Sequence, residues 1–470
     1  MKLRTIAYTF YLICDLAFAN TVGGLPDLGD PSLLAMSNKD MHQLVLNFNR
    51  TIALSPKVLH DGLVNDYIQY LGTRLVEQSP EPEQPFHFFM VITPEINAFA
   101  GPGGFVGINS GLLLASHNES ELAAVMAHEI AHVTQHHILR SLADEKNMRL
   151  PTLLGLLTAA ALGVVSPNLA EGAMMMGMAG VAQHRINFTR GEEQEADQIG
   201  IDMLHLAGFD PYAMARFFQR LQQQERYYDR ANIPAILLDH PVTQNRIADA
   251  NNRAAQWHGG HNQDETEYRL MQTRVQVLTT EDLSATLQLF QNKVHLQPDD
   301  NAAQYGLALA ELQNHQYQTA RTEAESLMQR VPDQIAFRLL LADTYLQLNQ
   351  YNDAIPILNS LYLDYPDNIT VQTNYGEALL HAGKAKQAVT VLQQALQDYP
   401  KLVEVYELLS RGQAAAGNQA SAYFTRARAL MLLEDEHSAK RELNHAAQLA
   451  KHDPYLTAQI KALQNTIQKH

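Results

Sequence analysis

The pattern of hydrophobic and polar positions divides the chain into two parts. Residues 20–265 mix short apolar runs, typical of strands, with amphipathic stretches, typical of helices. From residue 266 onward the sequence is rich in Gln, Ala and Leu, and almost every stretch has a helical pattern. We therefore predict a mainly α protein, in which an α+β domain over residues 20–265 precedes an all-α domain over residues 266–470.

The all-α part repeats itself every 34 residues. Frames that begin at residues 301, 335, 369 and 403 share a small residue at the twentieth position, namely Ala320, Ala354, Ala388 and Ala422. The first three frames carry proline at position 32, where it ends the second helix of a unit. These features resemble the tetratricopeptide repeat (TPR), which predicts a solenoid of helical hairpins that ends in a capping pair over residues 437–470.

Two apolar segments of the first part are predicted strands. They cover residues 86–92 and 105–113 and flank a turn at Pro102-Gly103-Gly104. The segments form either an ordinary buried hairpin or an edge strand that pairs with an extended substrate backbone.

The first 19 residues predict a cleaved export signal. Lys2 and Arg4 precede an apolar run that is too short to span a bilayer, and Ala17-Phe18-Ala19 gives a small-x-small cleavage pattern. We expect cleavage near Ala19 and an exported mature chain.

Charge and cysteine content exclude several classes of protein. The chain has 34 Lys+Arg against 50 Asp+Glu and a net charge of -16, without clustered basic residues, so nucleic acid is excluded as a partner. A single cysteine excludes an internal disulfide and a Cys-based zinc ribbon. Any metal site must therefore use histidine and carboxylate ligands.

His128-Glu129-Ile130-Ala131-His132 lies in a predicted helix whose other positions are mainly apolar. Residues four apart share a helix face, so both imidazoles can bind one ion while Glu129, about 100° around the helix, reaches a water on that ion. His136 and His137 continue the run, but we predict that they are surface residues.

A third ligand is expected from the segment that follows Thr189. Thr189 and Glu192 have the spacing of a capping box, which gives Glu192 a structural role. Glu193 and Asp197 then share one helix face. We predict that Glu193 completes the ligand set, and that Asp197 hydrogen-bonds a ligand histidine or assists proton transfer.

These motifs, together with Asn97-Ala98-Phe99-Ala100-x-Pro102-Gly103-Gly104, resemble the HExxH gluzincin family that includes HtpX and the CAAX prenyl protease. With an export signal and a repeat array, the chain is similar to the BepA-like branch of that family, periplasmic zinc metalloproteases linked to outer-membrane protein assembly. The resemblance implies one Zn²⁺ per chain on His128, His132 and Glu193. It also implies that Glu129 is the general base and that Asp197 supports the ligands.

His240-Pro241 and Arg246-Ile247 form a further pattern that resembles the family. His240 is either a plain loop residue or, presented by the turn at Pro241, a regulatory plug in the fourth zinc position or a transition-state donor. Arg246 either buttresses the acidic helix or stabilises charge on the reacting carbonyl.

Residues 150–181 are apolar and rich in methionine, but neither half is long enough to span a membrane. They form either a buried helical hairpin or a mobile lid that makes peripheral contact with a membrane or an unfolded client.

Two functions remain open from the sequence. In the first, the chain is a periplasmic zinc endopeptidase that acts on misfolded or stalled envelope proteins, while its TPR groove docks the outer-membrane assembly machinery. In the second, it is a TPR chaperone or assembly adaptor with a dormant or incidental protease site.

Overall fold

The computed structural model describes residues 38–53, 55–137, 140, 189–225, 234–257, 265–433 and 435–468. The predicted export signal and the segment 150–181 lie outside these residues. Among the helices that are described, none combines the length and the apolar character needed to cross a bilayer.

The part before residue 265 contains a small sheet surrounded by helices. Its elements, in chain order, are α1 (Asn38–Ala53), α2 (Gly62–Val76), β1 (His87–Val91), β2 (Ala98–Gly101), β3 (Phe105–Asn109), α3 (Ser110–Ala115), α4 (Glu119–Thr134), α5 (Arg190–Leu206), α6 (Ala213–Glu225), α7 (Ala235–Asp239) and α8 (Gln244–Ala254).

The sheet corrects the predicted strand pairing. Its order is β1-β3-β2, with β1 parallel and β2 antiparallel to β3, so the turn at Gly103 and Gly104 joins β2 to β3. Both glycines have positive φ, and a Cβ on Gly104 would lie 2.1 Å from the Pro85 carbonyl oxygen. The predicted strand 105–113 is also too long, because helix α3 begins at Ser110.

Helix α4 begins with a cap that differs from a full capping box. The Asn118 side chain accepts a hydrogen bond from the Glu121 backbone amide. The Glu121 carboxylate, however, accepts from the His117 amide and pairs with Arg220 on α6. Every residue of α4 is buried, so the helix forms the centre of this part of the protein.

Helix α5 packs closely along α4. It begins with the predicted capping box, in which Thr189 and Glu192 exchange both hydrogen bonds. Gly200 allows the close approach, because a Cβ there would lie 3.3 Å from the His128 backbone nitrogen. This packing carries the acidic face of α5 to the histidines of α4.

The part after residue 265 is an array of helical hairpins. Its helices are α9 (Thr266–Leu278), α10 (Leu283–Leu296), α11 (Asn301–Gln313), α12 (Tyr317–Arg330), α13 (Ile335–Gln347), α14 (Tyr351–Asp364), α15 (Ile369–His381), α16 (Ala385–Asp398), α17 (Val403–Ala415), α18 (Gln419–Leu432), α19 (Glu436–Leu449) and α20 (Pro454–Gln468).

The 34-residue period is visible directly in these helices. Helices α11, α13, α15 and α17 begin at the first residues of the four predicted frames, and the four alanines at position 20 are buried. Helices α19 and α20 form the final pair where a capping pair was predicted. The predicted fold class is confirmed.

A buried ion pair joins the repeat array to the part that precedes it. The Arg274 guanidinium on α9 donates to both Asp61 carboxylate oxygens, at 2.8 and 2.6 Å, and to the Tyr305 hydroxyl at 2.7 Å. Asp61 also caps α2, and Tyr305 belongs to α11. One continuous apolar core runs through both parts around this contact.

Candidate metal centre

Helices α4 and α5 bring the three predicted ligands together. His128 and His132 lie one turn apart on α4, and their Nε2 atoms are 3.0 Å from each other. On α5, Glu193 lies 3.6 Å from His128 Nε2 through Oε2 and 3.5 Å from His132 Nε2 through Oε1. All three side chains are buried.

His240 joins this cluster directly after α7. Its Nδ1 lies 3.3 Å from His128 Nε2 and 2.8 Å from Glu193 Oε1, and its Nε2 lies 3.5 Å from Glu129 Oε1. His240 is therefore buried against the predicted ligands, and its role as a plug or as a transition-state donor stays a prediction. The residue before it, Asp239, accepts a hydrogen bond from the Asn97 side chain at the start of β2.

The geometry fits a single metal ion. One ligand atom from each of His128, His132, Glu193 and His240 lies within 4.8 Å of the other three. Zinc bonds of 2.0–2.1 Å in a tetrahedron place ligand atoms about 3.3 Å apart, close to the distances found here. Neither carboxylate oxygen of the buried Glu129 accepts a hydrogen bond from the part of the chain that is described. That orphaned group, beside the cluster, suits a water bound to the ion.

The charges at the cluster are strongly coupled. Burial acts to raise the pKa of Glu193, but the neighbouring His240, His128 and Arg246 lower it to about 2. Burial acts to lower the pKa of His240, but Glu129 and Glu193 raise it to about 9. Without metal, His240 is thus an imidazolium between two carboxylates. Burial also raises the pKa of Glu129.

Asp197 and Arg246 support two of the ligand residues. Asp197 Oδ1 lies 3.0 Å from His128 Nδ1, but the two atoms are not aligned as a hydrogen bond, so the predicted support of a ligand histidine stays a prediction. Arg246 on α8 donates to both Asp197 oxygens at 2.7 and 2.8 Å, and its Nη1 lies 2.6 Å from Glu193 Oε2. Arg246 therefore contacts the acidic face of α5, as the buttressing alternative requires.

The prediction for His137 is wrong, because its side chain is fully buried. Its Nδ1 lies 3.0 Å from His132 Nδ1, and its Nε2 lies 3.2 Å from Glu195 Oε2. The reason is the backbone of His136, whose φ of 55° turns the chain back after α4 ends. His136 itself is partly exposed, as predicted. No glycine or asparagine marks this reversal in the sequence.

Comparison with known families agrees with this geometry. Residues 63–254 match peptidase family M48, and residues 311–373 and 345–412 match the tetratricopeptide repeat. M48 peptidases use zinc, and the four-residue cluster lies inside the matched region.

Several characterised proteins are similar in sequence. The beta-barrel assembly-enhancing protease of Escherichia coli (strain K12) is 38% identical over 321 residues, which cover 67% of this chain and 65% of that protein. The protein of the same name from Yersinia pestis is 35% identical over 315 residues, or 67% of this chain and 64% of the relative. The metalloprotease LoiP of Escherichia coli (strain K12) is 26% identical over 163 residues, or 35% of this chain and 60% of the relative. The chain thus matches slightly less than two thirds of the length of these relatives.

Among solved structures, MamA from Desulfovibrio magneticus RS-1 is similar to this chain with 15% sequence identity and a TM-score of 0.33. The similarity covers 36% of this chain and 97% of the MamA chain. The sequence matches themselves confirm the predicted resemblance: residues 63–254 form a domain of peptidase family M48, and an array of tetratricopeptide repeats follows it.

Proposed function

We propose that this chain is a zinc-dependent endopeptidase of the periplasm that cleaves misfolded or stalled envelope proteins. The observation that carries the proposal is the convergence of His128, His132, Glu193 and His240 on one buried point of an M48 domain. An export signal over residues 1–19, a peptidase domain over 20–265 and a repeat domain over 266–470 are parts of the same proposal. The name of the beta-barrel assembly-enhancing relatives supports a role in outer-membrane protein assembly.

In this proposal His128, His132 and Glu193 hold the ion. Zinc bound there would polarise the peptide carbonyl and lower the pKa of a water ligand to near 7. Glu129 is the neighbour of His128 on α4. Its carboxylate oxygens accept no hydrogen bond from the described residues and suit a general base that takes the water proton and passes it to the leaving amine. Asp197, 3.0 Å from the other ring nitrogen of His128, would orient that ring when the ion is bound.

His240 gives the site a resting state. A catalytic zinc needs three protein ligands and an open position for water. The Nδ1 atom of His240 lies 3.3 Å from His128 Nε2 and 2.8 Å from Glu193 Oε1, which supports a position in the fourth coordination site. Departure of His240 from this position would open the site, so we propose that it acts as a plug.

Substrate is proposed to bind as an added strand on β2. The outer edge of β1 is already bridged by Val58, and β2 forms the other edge of the sheet and packs against α4. An extended peptide on that edge would run beside the helix that carries His128 and His132.

The repeats are proposed to dock other proteins, including the outer-membrane assembly machinery, and residues 150–181 are proposed to contact the membrane or a client. One observation favours the second candidate function, a chaperone or adaptor with a dormant protease. A zinc with four protein ligands has the closed coordination of structural sites, and His240 completes such a set.

The test is a measurement of metal content and proteolysis on the purified mature chain. We expect about one zinc per chain, digestion of casein, and loss of digestion in Glu129→Gln, which serves as the inactive control. Zinc without digestion, together with full complementation by Glu129→Gln in cells, would favour the adaptor. A chain that binds no zinc would contradict the enzyme.

A further inference from the structure

The two ring nitrogens of His132 face different surroundings. Its Nε2 points to the cluster, 3.0 Å from His128 Nε2 and 3.5 Å from Glu193 Oε1. Its Nδ1 lies 3.0 Å from Nδ1 of His137, a side chain with no exposed surface. His137 Nε2 in turn lies 3.2 Å from Glu195 Oε2, and the Glu195 side chain is 45% exposed. A line of polar contacts therefore runs from the metal centre to the protein surface.

The chemistry of imidazole permits one arrangement of protons along this line when a metal is bound. A neutral histidine that ligates through Nε2 carries its proton on Nδ1. His132 then donates to His137 Nδ1, which must be the unprotonated nitrogen of that ring. The remaining proton of His137 lies on Nε2 and is donated to the Glu195 carboxylate.

We infer that His137 is a positioning residue of the metal centre, which holds His132 in its ligating tautomer and ring orientation, with Glu195 as the outer anchor. The inference rests on the proposed zinc site and adds residues to it. It gives each ligand histidine its own support, since His128 has Asp197 at its outer nitrogen and His132 has His137. The partners of ligand histidines typically contribute a factor of about 10–100 in metal affinity.

The rival explanation is that His137 only fills space under α4. Substitution by leucine and by asparagine separates the two explanations. Leucine fills the site but accepts no hydrogen bond, whereas the Oδ1 of asparagine is one atom beyond Cγ, as Nδ1 is in histidine, and accepts from His132. His136→Ala is the matched control, because His136 is adjacent but partly exposed and paired with Glu81.

The experiment measures zinc affinity of the full mature chain by competition with a chromophoric chelator. We expect His137→Leu to bind zinc about 10–100-fold more weakly than wild type, with His137→Asn and His136→Ala within a few-fold of it. Glu195→Ala should weaken binding less than His137→Leu does. Glu192→Ala on the same turn of α5 should leave it unchanged, because Glu192 only caps the helix.

Thermal unfolding of the metal-free proteins shows whether a substitution of the buried His137 prevents folding. If it does, the zinc affinity of Glu195→Ala, a substitution at a half-exposed residue, tests the inference instead. Equal losses in His137→Leu and His137→Asn would make the role one of packing and overturn the inference. Tight wild-type binding that none of the substitutions alters would also overturn it and leave the proposed function intact. A wild-type chain without zinc affinity would overturn both.

Discussion

His240 Nδ1 lies 2.8 Å from Glu193 Oε1, although 47 residues separate the two positions along the chain. The contact joins the first turn of α5 to the turn that follows α7. It places the proposed plug directly beside a proposed ligand, which is the contact that a closed form of the proposed enzyme requires.

Substitution of His240 tests this restraint. His240→Ala should raise basal casein digestion, because it frees the fourth position for water while His128, His132 and Glu193 keep the zinc. The measurement pairs initial digestion rates with zinc content, and His136→Ala serves as a histidine control outside the cluster. Lower activity with zinc retained would make His240 a transition-state donor, and unchanged activity would leave it without a catalytic role.

Glu129→Gln should retain zinc and fold but lose proteolysis. The amide has nearly the shape of the carboxylate but cannot accept the water proton, and general-base catalysis typically contributes a factor of about 10²–10⁴. Digestion rates and zinc content of the purified variant check this expectation. Cleavage at the wild-type rate would exclude Glu129 as the base.

The acidic residues of α5 should separate into three classes. Glu193→Ala should lose zinc, since it removes a ligand. Glu192→Ala should keep zinc and lose only about 1 kcal/mol of stability through its capping box. Asp197→Asn should weaken zinc binding or rate without emptying the site. Zinc content and urea unfolding distinguish these results, and loss of zinc in Glu192→Ala instead of Glu193→Ala would show that the ligand is misassigned.

Two arginines of α8 form a matched pair. Arg246→Met should destabilise the fold by about 3–5 kcal/mol, because it leaves the buried carboxylate of Asp197 without its cation and leaves Glu193 with His240 alone. Arg253→Met removes a partly exposed pair with Asp202 and should cost about 1 kcal/mol or less. Urea unfolding of both variants gives the comparison. Equal losses of unfolding free energy in the two variants would mean that the buried network of Arg246 stabilises the fold no more than the partly exposed pair of Arg253 does.

The elements that could be predicted from sequence are those whose signal is local or periodic. The helix starts at Asn301, Ile335, Ile369 and Val403 follow from a repeated register, because each hairpin faces the same neighbours as the one before it. The fold class and the peptidase family were likewise predictable. The prediction of the capping box at Thr189 was correct because that motif needs only two residues three positions apart.

The features that were missed depend on contacts or on backbone angles that leave no mark in the sequence. Strand β2 has only four residues, too few for an alternating pattern, so the turn at Gly103 was assigned to the wrong pair of strands. The burial of His137 follows from the positive φ of His136, and although histidine adopts left-handed backbone more often than most residues, it does so too rarely for the sequence to predict it. His240 was named as a candidate at the zinc site, but its place was left open because packing of α7 sets it and sequence spacing does not reveal that packing.

A carboxyl group in the repeat frame that begins at residue 301 should make the stability of the array depend on pH. Glu311 on α11 is 7% exposed, and its Oε2 accepts no hydrogen bond among the residues described. Burial, reinforced by the charge of Glu323, raises the pKa of Glu311 to about 7. A pKa above the ordinary value of about 4.3 means that the folded state binds this proton more tightly than the unfolded state does. The contribution of the Glu311 carboxyl group to the free energy of unfolding is therefore complete below about pH 4 and is lost as the pH rises through 7.

Glu311→Gln should remove this dependence, because its amide stays neutral at every pH. We expect a gain on the order of 1–2 kcal/mol at pH 8, after allowance for solvent screening, and little change at pH 4. Denaturant unfolding at the two pH values measures it, with the exposed Glu281→Gln as the control for loss of one negative charge. If both variants gain equally at pH 8, the effect comes from the net charge of the chain. If Glu311→Gln is less stable than wild type at pH 8, the ionised carboxylate has a favourable partner in the folded array.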